Sequence, residues 1–396
     1  LFPIGRSGWA AETVPNPGHK RLVVILLRGA VDGLNIVVPY GDQAYYDARP
    51  TIAIPKPTGD DQGALPLDRY FGLHPALSGL MPMWQQGDLA FVHACGSPDP
   101  TRSHFDAQLF MENGTPGQAR TADGWMNRLL AQMPGPHDPA QALAFTTTMP
   151  HIMAGSVNVA NLPPGGAANR PLIIDQPNVS AAFDKLYANN DRVGNAYRSG
   201  QDARKQLLAD MHEDANPADA GAPSPKGFAA DAARLALMMR QDPRINLAFI
   251  DLGGWDTHVR QGNAKGQLAD HLKQLADGLV TLHAGLGTAS QDTLVLVMSE
   301  FGRTFKENGD GGTDHGHGNV MWAMGGGIRG GKVYTQWPGI DGAHLHEGRD
   351  LAVTTDFRNV IATLTERHMR LNDKQMAAIF PNMPKATSDL SVMIRA

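Results

Sequence analysis

The 396-residue sequence holds one cysteine, Cys95, which excludes an intrachain disulfide framework and any zinc or iron–sulfur site built from several thiolates. Long apolar runs are missing too. A membrane-spanning helix needs roughly 20 consecutive apolar residues, whereas the stretch LVVILL at 22–27 has the length of a strand. No Lys/Arg-rich run is present and the formal net charge is −5, so nothing supplies the cationic footprint of a nucleic-acid partner. What the chain has in excess is glycine. Its 44 glycines exceed the roughly 7% of an average protein, and many lie beside acidic residues and histidines. With 42% hydrophobic and 18% charged residues, the composition is that of a globular chain able to bury a sizeable core.

The apolar run 22–27 stops at RGAVDG, as expected of a buried strand that delivers Asp32 into a loop. A second run at 89–93 leads into a loop, after which Ser103 is placed to cap a helix reaching toward Gly114. Residues 131–225 are rich in Pro, Gly, Ala and Asn, with a strand-like piece at 171–174, a polar helix at 203–211 and linker composition at 214–225. They read as an insertion or cap within a single domain spanning 1–396. Beyond them the rhythm is regular: helix 227–241, strand 245–251, a helix with leucines at 268, 272, 275, 279, 282 and 286, strands 293–298 and 320–324, and a helix capped by Thr354 or Thr355. Such alternation builds a largely parallel sheet with helices on both faces, an α/β class in which ligands gather beyond the carboxyl ends of the strands.

The post-strand loops carry the chemistry. Gly253 and Gly254 keep a turn compact around Asp256 and His258, whose carboxylate and imidazole both suit zinc or manganese; the alternative is an Asx turn with a solvent-facing histidine. In the next loop Asp314, His315 and His317 fall within four residues among glycines, which let the backbone bend until neighbouring side chains converge on one ion. His317 is either a ligand or a donor to one. Glu300 ends the preceding strand and Arg303 follows it. They read as a metal ligand and an oxyanion clamp, or as a pair with each other. Loop 99–106 offers Thr101 and Ser103 as hydroxyl nucleophiles, Arg102 as an anion clamp and His104 as a base or ligand, with a helix cap as the alternative role of Ser103. Cys95 reads as buried filler, His344 and His346 as members of a polar loop, and Asp356 as part of a helix's first turn.

Six phrases in order, RGAVDG at 28–33, SHFDAQ at 103–108, GGWDTH at 253–258, SEFGRT at 299–304, GTDHG at 312–316 and TTDFR at 354–358, resemble the bacterial domain-of-unknown-function family 1501. That family is similar to the alkaline phosphatase and sulfatase superfamily. The resemblance implies a three-layer α/β/α sandwich and one or two divalent ions, zinc first, with manganese, calcium or magnesium as alternatives. It implies Asp32 as a ligand from the first strand, Asp256 with His258 on one metal, and Asp314 with His315 on the other. Glu300 competes for that second metal, since it stands directly after its strand while Asp314 comes about fourteen residues later. The implied activity is hydrolysis of a phosphate ester on a small molecule or glycan. Ser103, Thr101 or water would attack, Arg102 and Arg303 would clamp the oxygens, and His104 or His317 would protonate the leaving group. Alternatives are a sulfate or other ester on the same site, or an inactive metal-containing binding protein. Neither Cys95 nor Ser97 satisfies the spacing of a formylglycine sulfatase. The resemblance also implies twin-arginine export to the periplasm or beyond, by a signal that would precede Leu1.

Overall fold

In β1 (Arg21–Leu27) every residue is buried, and the side chains divide between two cores by the two-residue period of a strand. Val23, Ile25 and Leu27 pack with Leu268, Leu272 and Leu279 on one face, while Leu22, Val24 and Leu26 pack with Met111, Trp125 and Phe357 on the other. A strand covered on both faces can be continuously apolar, and LVVILL is. The result is a three-layer α/β/α arrangement.

The computed structural model describes residues 20–146, 148–165, 177–189, 194–195, 197–198, 227–385 and 390–395. Among these, the main sheet has nine strands. After β1 come β2 (Leu89–Gly96), β3 (Ala142–Phe145), β4 (Ala160–Leu162), β5 (Leu247–Leu252), β6 (Thr293–Ser299), β7 (Asn319–Met324), β8 (Lys332–Tyr334) and β9 (Thr355–Asp356). Their order is β8-β2-β7-β6-β1-β5-β3-β4, with β9 paired to β2. All pairings are parallel except those of β7, which runs against both β2 and β6. The helices of eight residues or more are α1 (His104–Asn113), α2 (Trp125–Gln132), α3 (Pro177–Leu186), α4 (Phe228–Gln241), α5 (Gln267–Leu286) and α6 (Phe357–Met369). None of the described helices is long and apolar enough to cross a membrane.

Two boundaries differ from the sequence reading. The segment 131–225 is not set apart from the sheet at its start, because β3 pairs with β5 and β4 with β3; the pieces expected at 171–174 and 203–211 lie outside the described residues. The cap of α6 is Asp356, whose carboxylate accepts from the Arg358 N–H at 2.9 Å, not Thr354 or Thr355. A carboxylate is the stronger acceptor for those unpaired amides.

Because β1, β2, β5 and β6 are parallel members of one sheet, their carboxyl ends share an edge. Residues 28–33, 97–104, 253–258 and 300–317 are therefore delivered to one place. Glycine permits the closest of these approaches. Gly312 packs its Cα on the 257–258 backbone so tightly that a Cβ there would stand 2.3 Å from the His258 carbonyl oxygen.

Candidate metal centre

Ser103 caps α1, its Oγ accepting from the Asp106 N–H at 3.4 Å, and so sets His104 as the first residue of the helix. One turn later on the same face comes Gln108. Both reach Glu300, which is fully buried just past β6: His104 Nδ1 lies 2.8 Å and Gln108 Nε2 2.9 Å from its Oε1. The same oxygen accepts from the Gly29 N–H at 2.8 Å, and Oε2 accepts from Ser299 Oγ at 3.0 Å. Burial alone would push this carboxyl up, but the hydrogen bonds from His104 and Gln108 outweigh it and hold Glu300 below the ordinary carboxylate range. In return, the hydrogen bond to Glu300 raises His104. Arg28 donates to Gln108 Oε1 at 2.8 Å, which fixes the amide with its N–H groups toward Glu300.

His315 is held in the same way. Its Nδ1 lies 3.0 Å from the carbonyl oxygen of Arg102, a group that can only accept, so Nδ1 carries the proton. His258 Nδ1 stands 3.1 Å from Asp314 Oδ1, and Asn308 supports that carboxylate at 3.2 Å. All three imidazoles thus direct Nδ1–H to an acceptor and turn Nε2 toward one point. Nε2 of His315 is 3.0 Å from Nε2 of His104 and 3.0 Å from Nε2 of His258. Asp256 completes the group, with Oδ1 3.0 Å from His258 Nε2 and 3.4 Å from His315 Nε2, and Oδ2 3.7 Å from His104 Nε2. Despite partial burial, Asp256 is held below the ordinary carboxylate range by its hydrogen bond to Arg303 and by that guanidinium's charge.

The donor chemistry tests what belongs at the centre. The lone pair of His315 meets those of His104 and His258 at 3.0 Å each, and both contacts repel. One proton relieves one contact only, because Nε2 of His315 has a single lone pair to give. A cation relieves all of them. Two ligands of a tetrahedral ion bound at about 2.0–2.1 Å stand about 3.3 Å apart, close to the spacing of these nitrogens. His104, Asp256 and His315 offer ligand atoms within 4.8 Å of one another.

The family model described as "Protein of unknown function (DUF1501)" matches residues 19–380. The chain belongs to this family. Among solved structures, the DUF1501 chain is similar to the lipoteichoic acid synthase LtaP from Listeria monocytogenes at 10% identity and a TM-score of 0.36, over 90% of this chain and 73% of that one. It is similar to the C-terminal periplasmic domain of EcEptC from Escherichia coli, in complex with Zn, at 9% identity and a TM-score of 0.36, over 78% and 73% of the two chains. A protein in the alkaline phosphatase superfamily from Vibrio parahaemolyticus is similar at 11% identity and a TM-score of 0.33, over 80% and 62%. No curated protein matches the sequence.

Within this DUF1501 chain the expected site residues divide into three groups. His104, Asp256 and His315 form one group, and His258 joins it through contacts of 3.0 Å to Asp256 and to His315. Glu300 and Asp314, expected as rival ligands of a second metal, each contact a histidine of the group. Asp32 lies outside: its Oδ2 receives Arg49 at 2.6 Å and Gln261 at 2.7 Å, and this buried pair ties the 304–305 backbone to the first loop through further bonds from Arg49. The two expected clamps have other partners. Arg303 donates to Asp256 and to both oxygens of Thr313, while Arg102 donates to Glu347 and Asp350. His317 packs on the His346 ring at 4.5 Å, and burial first, then His346 and Arg102, push it down to about 4. Thr101 Oγ1 accepts from the Ser103 N–H at 3.3 Å, and no imidazole or carboxylate among the described residues contacts either hydroxyl. Gln108, Arg28 and Asn308 were not foreseen. The spacing of Gln108 four residues after His104 on a helix was the signal for it.

Proposed function

We propose that this chain is a metal-dependent ester hydrolase acting on phosphate esters, with a single divalent ion held by His104, His258, His315 and Asp256. The observation that carries the reading is the convergence of three Nε2 atoms whose Nδ1 partners are all occupied. Three imidazoles and one carboxylate suit zinc, whereas calcium and magnesium take oxygen ligands. When bound, such an ion supplies Lewis acidity toward an ester oxygen and lowers the pKa of water.

The chain's own residues set the stage for that chemistry. Glu300, Asp314 and the Arg102 carbonyl fix the tautomers and aim the imidazoles. Arg303 keeps Asp256 ionised and oriented. Asp256 and His258 remain partly open to solvent, which gives water and substrate an approach. With Ser103 and Thr101 engaged only by backbone amides, water is the nucleophile in this reading. Export to the periplasm or outside the cell goes with the family resemblance.

One observation favours a second reading. If Asp256 is a full ligand, the protein donors number four, the closed set typical of structural zinc, and the chain is a metal-containing binding protein. Elemental analysis combined with a panel of chromogenic phosphate mono- and diesters and sulfate esters, comparing wild type with Asp256→Ala, separates the two. Metal-dependent turnover lost in the variant supports the hydrolase; bound zinc with no turnover on any ester supports the binding protein.

A further inference from the structure

Six large apolar side chains are exposed among the described residues, and two of them directly follow histidines of the metal centre. Phe105, after His104, is the most exposed of the six at 90%, and Val259, after His258, is 52% exposed. Phe105 enters no ring contact among the described residues, although the neighbouring His104 ring packs on Phe301 at 4.9 Å. The helix explains its placement. His104 and Gln108 occupy the face of α1 turned to Glu300, and the next residue along is rotated by about 100° onto the open side. Val259 leaves the turn just before Arg260, which holds φ of 49°.

Leaving a phenylalanine in water forgoes the free energy gained by burying its ring. Single exposed apolar residues are ordinary, but two that each directly follow a histidine of a charged, partly solvent-open centre match a ligand that is polar at one end and apolar at the other. Resting on the ester-hydrolase reading, we infer that Phe105 and Val259 bind the organic group of the substrate, an aryl or alkyl chain attached to the reacting ester. Small inorganic or methyl esters lack the part these residues hold.

Non-hydrolysable phosphonates test this by calorimetry on the zinc-loaded protein. Naphthylmethylphosphonate binds wild type about tenfold or more tightly than methylphosphonate, and the pair of substitutions Phe105→Ser and Val259→Ser abolishes that preference. Zinc affinity and methylphosphonate binding stay as in wild type, which also shows that the variant is folded. Equal affinity of the two phosphonates for wild type, or a preference that survives in the double variant, overturns the inference while leaving the ester reading in place. Failure of both phosphonates to bind wild type overturns the ester reading, and the inference with it.

Discussion

His104 Nε2 and His315 Nε2 face each other across 3.0 Å, and the Nδ1 atom of each ring is already bound, to Glu300 and to the Arg102 carbonyl. The two residues are 211 positions apart in sequence, so four strands and two loops are arranged to bring these two lone pairs together. A cation at that point would relieve the repulsion between them.

Glu300 is the strongest lever on the centre short of its ligands. Glu300→Gln removes the charge that orients His104, and residues that hold a metal-binding histidine typically matter by 10- to 100-fold in metal affinity. Zinc affinity of this variant, measured against a fluorescent chelator, is expected to fall by about that factor while the thermal transition stays cooperative.

Asp32 and Arg49 form a buried pair. Arg49→Leu leaves the carboxylate of Asp32 buried without its counter-ion and is expected to cost about 3–5 kcal/mol in a denaturant titration. Adding Asp32→Leu removes the stranded charge and should recover part of the loss.

Acid sensitivity follows from buried imidazoles. Burial pushes His74, His93 and His368 from an ordinary 6.5 down to about 4. Between those values the unfolded chain binds protons that the folded chain does not, so stability falls as the pH falls through this window. Above 6.5 both states are neutral at these positions and the groups add no slope. Denaturant midpoints measured from pH 7.5 to 4.5 should decline on the acid side, and variants with His93→Gln should decline less steeply.

Gly312 sets the loop of His315 against the turn of His258. Gly312→Ala places a methyl where the His258 carbonyl carbon and oxygen stand, 2.4 and 2.3 Å away, and must open the Thr313 to Thr257 backbone hydrogen bond, now 3.1 Å. Weaker zinc binding with little change in the sheet's circular dichroism is the expected outcome.

Much of this was legible in the sequence, for reasons that also mark where legibility ends. Apolar runs such as LVVILL and the leucine ladder of α5 identify elements because burial on a sheet or one helix face is a local pattern. The reversed direction of β7 is not local, and VMWA reads alike in either direction. β3 and β4 hid in a stretch of small residues and proline because strands this short carry little periodicity. At the site, residue type and strand-end position mark His104, Asp256, His258 and His315 as candidates. The division between ligand and orienting partner rests on contacts such as Glu300 to His104, 196 positions apart, which no spacing encodes. The pairing of Asp32 with Arg49 is hidden for the same reason, since Arg49 lies at a helix end and nothing in RGAVDG announces its partner.

The central claim is tested most directly by titrating metal-free wild type and His315→Ala with zinc in a calorimeter. One zinc per chain in wild type, with affinity reduced by at least about 100-fold in the variant, is the result predicted for a ligand at the meeting point of the other donors. Wild type that takes up no zinc, or a variant that binds it as tightly as wild type, would contradict the account.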